Sequence, residues 1–257
     1  MRLHVHRFGP PDAPVVVCLH GVMGDGGRFR RLAAEALGRR RVLAPDLRGH
    51  GRSGWEPPWD LGTHLDDLRQ TLDAEGVGRA DLVGFSFGGR LALELAAADP
   101  DRADRLALLD PAVHLAPDVA AASADGARHE LSFPDEDAAI RARLAVLRHA
   151  PPALIEADLR GTLVTGEDGR LRYRMAPAAV VAAYGEMARA PGLPAQKPTL
   201  LVRASDGIVD DRQEALLRDA LGDALRVTRV SGAHAVMWDA YAATAAAVAA
   251  HLRQPGD

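Results

Sequence analysis

Ser86, Asp206 and His234 are the three residue types that together turn a hydroxyl into a nucleophile, and each follows a run that reads as a buried strand. A free serine attacks poorly. It needs a base within hydrogen-bond reach, normally histidine, and the histidine needs a carboxylate that fixes its tautomer and stabilises its cation. Ser86 lies in Asp81-Leu82-Val83-Gly84-Phe85-Ser86-Phe87-Gly88-Gly89, where an apolar run ends at Gly84 and an Ala- and Leu-rich run follows at once. The serine therefore stands on a tight strand-to-helix turn, with Gly84 and Gly88 allowing chain segments to close around it. The Phe87 amide, at a helix N-terminus, points toward developing negative charge. Gly-x-Ser-x-Gly alone is only moderately specific; the strand before it and the helix after it make it a nucleophile elbow.

A second loop complements the first. Val15 to Leu19 is a continuous apolar run that delivers His20-Gly21-Val22-Met23-Gly24-Asp25-Gly26-Gly27. A glycine-rich loop after a strand can cradle phosphate, but neither the dinucleotide fingerprint nor the phosphate-binding lysine is present. The competing reading is an oxyanion loop, in which the Val22 amide aims at the same point as that of Phe87.

The elements that must position these loops alternate. Strands are predicted over Val15–Leu19, Arg41–Ala44, Asp81–Val83, Leu106–Leu109, Thr199–Arg203 and Leu225–Val230, with an early edge strand at Leu3–Phe8. Helices are predicted over Arg28–Leu37, through Leu61, Leu65, Leu68 and Leu72, after Ser86, over Arg212–Leu221 and from Met237 to Leu252. This rhythm implies an α/β fold with a mostly parallel sheet, helices on both faces and functional groups in loops at the carboxyl ends of strands. Between residues 112 and 194 it breaks into helix-like segments (Asp135–His149, Ala153–Leu159, Ala178–Ala190) and a hairpin near residues 163–173. The expected organisation is a core of residues 1–111 and 195–257 with a mainly helical lid over residues 112–194.

Composition excludes several classes. The 257 residues suffice for one domain with an insertion, and 47% hydrophobic with 26% charged residues is ordinary for a folded protein. A net charge of -4, with no basic run free of nearby acids, argues against a nucleic-acid partner. No stretch approaches a membrane span, and the N-terminus lacks the apolar core of a signal peptide, so the expected compartment is the cytoplasm. Nothing in the sequence sets the oligomeric state. The lone Cys18 reads as a small buried hydrophobe. His4 and His6 share a strand face but have no third ligand at useful spacing, so no metal is expected. Asp46, Arg48, His50 and Arg52 read as fasteners of their own loop.

With these motifs in hand the chain resembles the α/β-hydrolase superfamily, in particular its lid-bearing esterase, lipase and peroxidase-like members. The resemblance rests on His20-Gly21-Val22-Met23-Gly24, Asp46-Leu47-Arg48-Gly49-His50-Gly51-Arg52-Ser53, Gly84-Phe85-Ser86-Phe87-Gly88-Gly89, Asp206 and Gly232-Ala233-His234. It implies Ser86 as nucleophile, His234 as general base and acid, Asp206 as orienting carboxylate, the amides of Val22 and Phe87 as oxyanion hole, and His20 as a loop fastener. One departure stands out: relatives often carry glycine soon after the strand that precedes the acid, and Arg203-Ala204-Ser205-Asp206 has none. Asp110 is a rival because some relatives place the acid there, and Asp210 and Asp211 are further options. Ser86 excludes the aspartate-nucleophile dehalogenases and epoxide hydrolases.

The expected activity is cofactor-free hydrolysis of small-molecule carboxylic esters of small to medium acyl chains through an acyl-enzyme on Ser86. Met23, Phe85, Phe87, Leu144, Leu147, Met175 and Trp238 are candidates to line the pocket. A carbon–carbon bond hydrolase, a peroxidase-like enzyme, or a receptor that binds its ligand and turns over slowly would use the same parts.

Overall fold

The computed structural model describes residues 1–128, 132–147 and 150–253. Its strands are β1 (Val5–Phe8), β2 (Val15–Leu19), β3 (Arg41–Pro45), β4 (Ala80–Phe85), β5 (Ala103–Leu109), β6 (Ser132–Phe133), β7 (Leu163–Thr165), β8 (Leu171–Tyr173), β9 (Thr199–Asp206) and β10 (Leu225–Ala233). Its helices are α1 (Arg30–Glu35), α2 (Leu61–Ala74), α3 (Phe87–Ala98), α4 (Pro117–Ala127), α5 (Glu136–Val146), α6 (Pro152–Thr162), α7 (Pro177–Met187), α8 (Asp211–Leu221), α9 (Val236–Asp239) and α10 (Tyr241–Leu252). Seven strands form one sheet in the order β1-β3-β2-β4-β5-β9-β10. Only β1 is antiparallel to its neighbour.

Strand alternation divides the core. Val17, Leu19, Leu82, Leu106 and Leu201 point to the face covered by α2, α3 and α8, through residues such as Leu68, Leu91 and Leu217. Val16, Cys18, Val83, Leu109 and Val202 point to the other, against Phe29, Leu32, Val248 and Leu252. Burial on both faces is why these strands read as continuous apolar runs, and it raises the thiol of Cys18 far above its ordinary value.

The chain order reverses at β2, which pairs with β3 on one side and β4 on the other. That reversal opens a crevice at the carboxyl ends of β2 and β4, where the Gly21–Gly24 loop and the Ser86 turn emerge. The two meet closely: a Cβ at Gly88 would fall 2.0 Å from the Leu19 carbonyl oxygen, a backbone atom that cannot swing away. Gly88→Ala is expected to cost about 3 kcal/mol or more, read as a large fall in Tm or loss of soluble protein; a Tm within a few degrees of wild type would contradict the close approach.

Several boundaries differ from expectation for local reasons. The first helix is shorter, because Asp25 caps a 3-10 turn at Gly26–Phe29 that precedes α1. The last helix is broken at Ala240 into α9 and α10. The hairpin near residues 163–173 is present as β7 and β8, with β6 added to make a separate three-stranded sheet. The predicted helix ending at His149 stops at Val146, and His149 lies outside the described residues, as does the tail from Gln254. No helix among the described residues is long and apolar enough to cross a membrane.

Candidate active site

Ser86 has φ 54 and ψ −118, a left-handed conformation that a non-glycine residue holds only when its surroundings enforce it. Its N–H donates to the Leu109 carbonyl, 3.2 Å, and its carbonyl accepts from the amides of Gly89 and Ala112, both 3.0 Å. The turn is thus clamped between β5 and α3. A Cβ at Gly21 would stand 2.9 Å from the Ser86 Cβ, so the Gly21–Gly24 loop lies directly against the serine. Phe87 is the first residue of α3, and its amide has no intrahelical partner.

His234 follows β10. Its Nδ1–H donates to Asp110 Oδ2 at 2.7 Å, which leaves Nε2 as the proton acceptor. The ring stacks on Phe85, the residue before Ser86, with centroids 4.9 Å apart. Asp110, just beyond β5, is 0% exposed. Its Oδ1 accepts from the Ala204 amide and its Oδ2 from the Ile208 amide, 3.3 and 2.9 Å, so three donors hold the carboxylate.

The expected acid, Asp206, is not the partner of His234. It is exposed, its carboxylate accepts from Ser205, and its backbone pairs with Ala233. The reason is local: β9 runs through Asp206 instead of ending at Arg203, so Asp206 is held in the strand, which offers the Ala204 amide to Asp110, and the following turn brings the Ile208 amide. Gly207 makes room for this, since a Cβ there would fall 2.3 Å from Asp110 Oδ1. The missing glycine after Arg203 was the sequence signal that the turn differs. The other options serve elsewhere: Asp210 caps α8 by accepting from Gln213 N–H, and Asp211 is 96% exposed beside Arg203.

His20 is a fastener, as expected. Its Nε2 accepts from the Leu47 amide at 2.9 Å, so Nδ1–H donates to Gly21 O at 2.7 Å, and burial keeps the ring neutral. The Asp46–Ser53 loop is tied partly within itself, as expected, and partly to neighbouring elements. Arg48 makes a paired contact with Asp67, and Asp46 accepts from the amides of Gly26 and Arg52. Asp46 Oδ1 also lies 2.9 Å from His6 Nε2, which supplies the third group that the sequence did not show beside His4 and His6. Both oxygens of that carboxylate are already engaged in loop closure.

Of the pocket candidates, Phe85, Leu147 and Trp238 are buried in one apolar cluster, against which Met23, Leu144 and Met175 pack. Trp238 meets Phe85 edge-on at 6.0 Å. Phe87 does not belong with them: its ring lies on the opposite face of the sheet, against His64 at 5.4 Å. A cavity of about 500 Å³ opens beside Met237 and Trp238, bordered by Arg28, Asp158 and Tyr241, but neither Ser86 nor His234 lines it. Ser86 itself is 5% exposed.

This sheet, with a strained serine at its switch point and a histidine–carboxylate pair on neighbouring loops, defines a hydrolase class. The chain belongs to the α/β-hydrolase fold family, whose sequence pattern matches residues 14–151. Lipase LipV of Mycobacterium tuberculosis is 39% identical over 234 residues, 86% of each chain. Esterase YbfF of Escherichia coli is 32% identical over 99 residues, 38% of this chain and 39% of that one. Among solved structures, E-2-(acetamidomethylene)succinate hydrolase superposes with a TM-score of 0.87 at 22% identity, covering 97% of this chain and 94% of that one. A marine microorganism esterase gives 0.80 at 18%, covering 98% and 99%. At such identities the likeness is one of fold. The relatives named lipase, esterase and hydrolase make this chain a hydrolase.

Proposed function

We propose that the chain is a serine hydrolase that cleaves carboxylic esters of small to medium acyl chains. The observation that carries this reading is the His234–Asp110 hydrogen bond, with the imidazole stacked on Phe85 at the strained Ser86 turn. His234 Nε2 takes the Ser86 proton as Oγ attacks the ester carbonyl. The amides of Val22 and Phe87 receive the negative charge that develops on the carbonyl oxygen. Nε2 then returns the proton to the leaving alcohol, and an acyl-enzyme remains on Ser86. Water, deprotonated by the same nitrogen, releases the acid. Buried Asp110 stabilises the imidazolium in both halves of the cycle. No cofactor enters the scheme.

The low exposure of Ser86 supports reading the segment between β5 and β9 as a lid that admits the ester and excludes bulk water. Met23, Phe85, Leu144, Leu147, Met175 and Trp238 would then form the apolar wall around the acyl chain. The names of the lipase and esterase relatives agree with ester substrates.

An organophosphonate that mimics the tetrahedral intermediate provides the test. It is expected to label one serine, located by mass spectrometry in the peptide that carries Ser86, and to remove p-nitrophenyl ester hydrolysis in proportion to labelling. Hydrolysis that survives complete labelling of Ser86 would overturn the proposal.

A further inference from the structure

Arg143 on α5 is a charge without a counter-charge. Its Nε is sealed from solvent and makes no hydrogen bond, and no ion pair among the described residues engages its guanidinium. The groups that face it are Arg28 from the turn before α1, Asp158 of α6 and Tyr173 of β8. Asp158 is already committed: it accepts from Arg28 Nε and Nη2 at 2.9 and 3.1 Å, and both side chains are buried. Asp158 thus serves Arg28, and among the described residues the positive charge of Arg143 is left over. Burial, with Arg28 nearby, lowers the pKa of Arg143. A guanidinium does not give up its proton in proteins, so the unpaired charge persists instead of being neutralised.

From this cluster Arg28 reaches toward the reaction site. The Arg28 guanidinium lies over the Trp238 ring, 5.5 Å from its centroid, and a Cβ at Gly24 would stand 2.6 Å from its Nη1. Trp238 packs on Phe85, and Phe85 stacks on His234. Arg28, whose charge acts on Arg143, thus touches the aromatic wall at Trp238 and the Gly21–Gly24 loop. Tyr173 is buried, and burial raises its hydroxyl above the usual value, which keeps it a neutral donor.

We infer that Arg143 receives a carboxylate carried by the substrate, so that the preferred esters bear a free acid group away from the bond that is cut. This rests on the ester-hydrolase reading of Ser86. A carboxylate suits the site better than a phosphate because one uncompensated positive charge matches one negative charge. The planar fork of arginine also offers two parallel donors to the two carboxylate oxygens.

The experiment compares wild type, Arg143→Met and Arg143→Lys on mono-p-nitrophenyl esters of glutaric, adipic and pimelic acids and on p-nitrophenyl esters of monoacids of matching length. Wild type is expected to favour one of the acid-bearing esters in kcat/KM by roughly 10- to 100-fold. Arg143→Met should bring that ratio close to one, mainly through KM, and Arg143→Lys should restore part of it. Because Arg143→Met removes a half-buried charge whose Nε makes no hydrogen bond, its Tm should be unchanged or higher. Equal hydrolysis of both ester sets by wild type, a preference that survives Arg143→Met, or a fall in Tm without change of preference would overturn the inference. Stronger inhibition by inorganic phosphate than by adipate would overturn the choice of carboxylate. If no ester of either set is turned over, the serine-ester reading fails on its own. Calorimetric binding of adipate to wild type and to Arg143→Met then decides the role of Arg143 separately: binding lost in the variant supports it, and equal or no binding to the two overturns it.

Discussion

Ser86→Ala is expected to lower kcat on p-nitrophenyl esters by roughly 10⁴-fold or more while leaving KM within a few-fold of wild type. The methyl group keeps the strained turn occupied but removes the oxygen proposed to be acylated. The Val22 and Phe87 amides and the apolar wall proposed to bind the ester remain, so whatever rate persists measures their contribution over uncatalysed hydrolysis. The turn is clamped by backbone bonds from Ser86 to Leu109, Gly89 and Ala112, none of which involves the hydroxyl. The variant should therefore fold with an unchanged Tm, and the loss will report chemistry. A series of increasing acyl length on wild type would measure the pocket in the same experiment. If the variant keeps most of the wild-type rate, ester hydrolysis does not pass through Ser86.

Asp110→Asn should lower kcat by about 10⁴-fold, whereas Asp206→Asn should stay within about threefold of wild type. Asp110 Oδ2 accepts from both His234 Nδ1–H and the Ile208 amide, and Oδ1 accepts from the Ala204 amide. Asparagine offers one acceptor oxygen where three donors converge. If that oxygen faces His234 and Ile208, the side-chain NH₂ meets the Ala204 N–H, and the imidazolium loses its counter-charge. If it faces Ala204, the NH₂ confronts His234 and forces the wrong tautomer. The first arrangement weakens the proposed base by leaving its cation unpaired, and the second removes it. Asp206 is solvent-exposed and, among the described residues, its carboxylate bonds to its neighbour Ser205 alone, so its neutralisation leaves His234 and Asp110 untouched. A large loss in Asp206→Asn with little effect in Asp110→Asn would reverse this assignment.

The sequence by itself determined the sheet, its two buried faces and the serine turn. Each depends on a short-range pattern: continuous apolar strands such as Val15–Leu19, glycines at fixed offsets from Ser86, and leucines at helical spacing in α2. It also marked the charges of the Asp46–Ser53 loop as fasteners, because such residues satisfy nearby backbone groups, while the family resemblance marked His20. Tertiary structure alone decided which carboxylate meets His234. Asp110 and Asp206 both stand at the ends of adjacent parallel strands, and the choice turned on three extra residues of β9 and on the space left by the absent side chain of Gly207. It likewise joined His6 to Asp46 and Arg28 to Asp158, and left Arg143 without an ion pair among the described residues. These contacts link residues far apart in the chain, and no local periodicity encodes a distance between the ends of two strands or the charge balance of an interior.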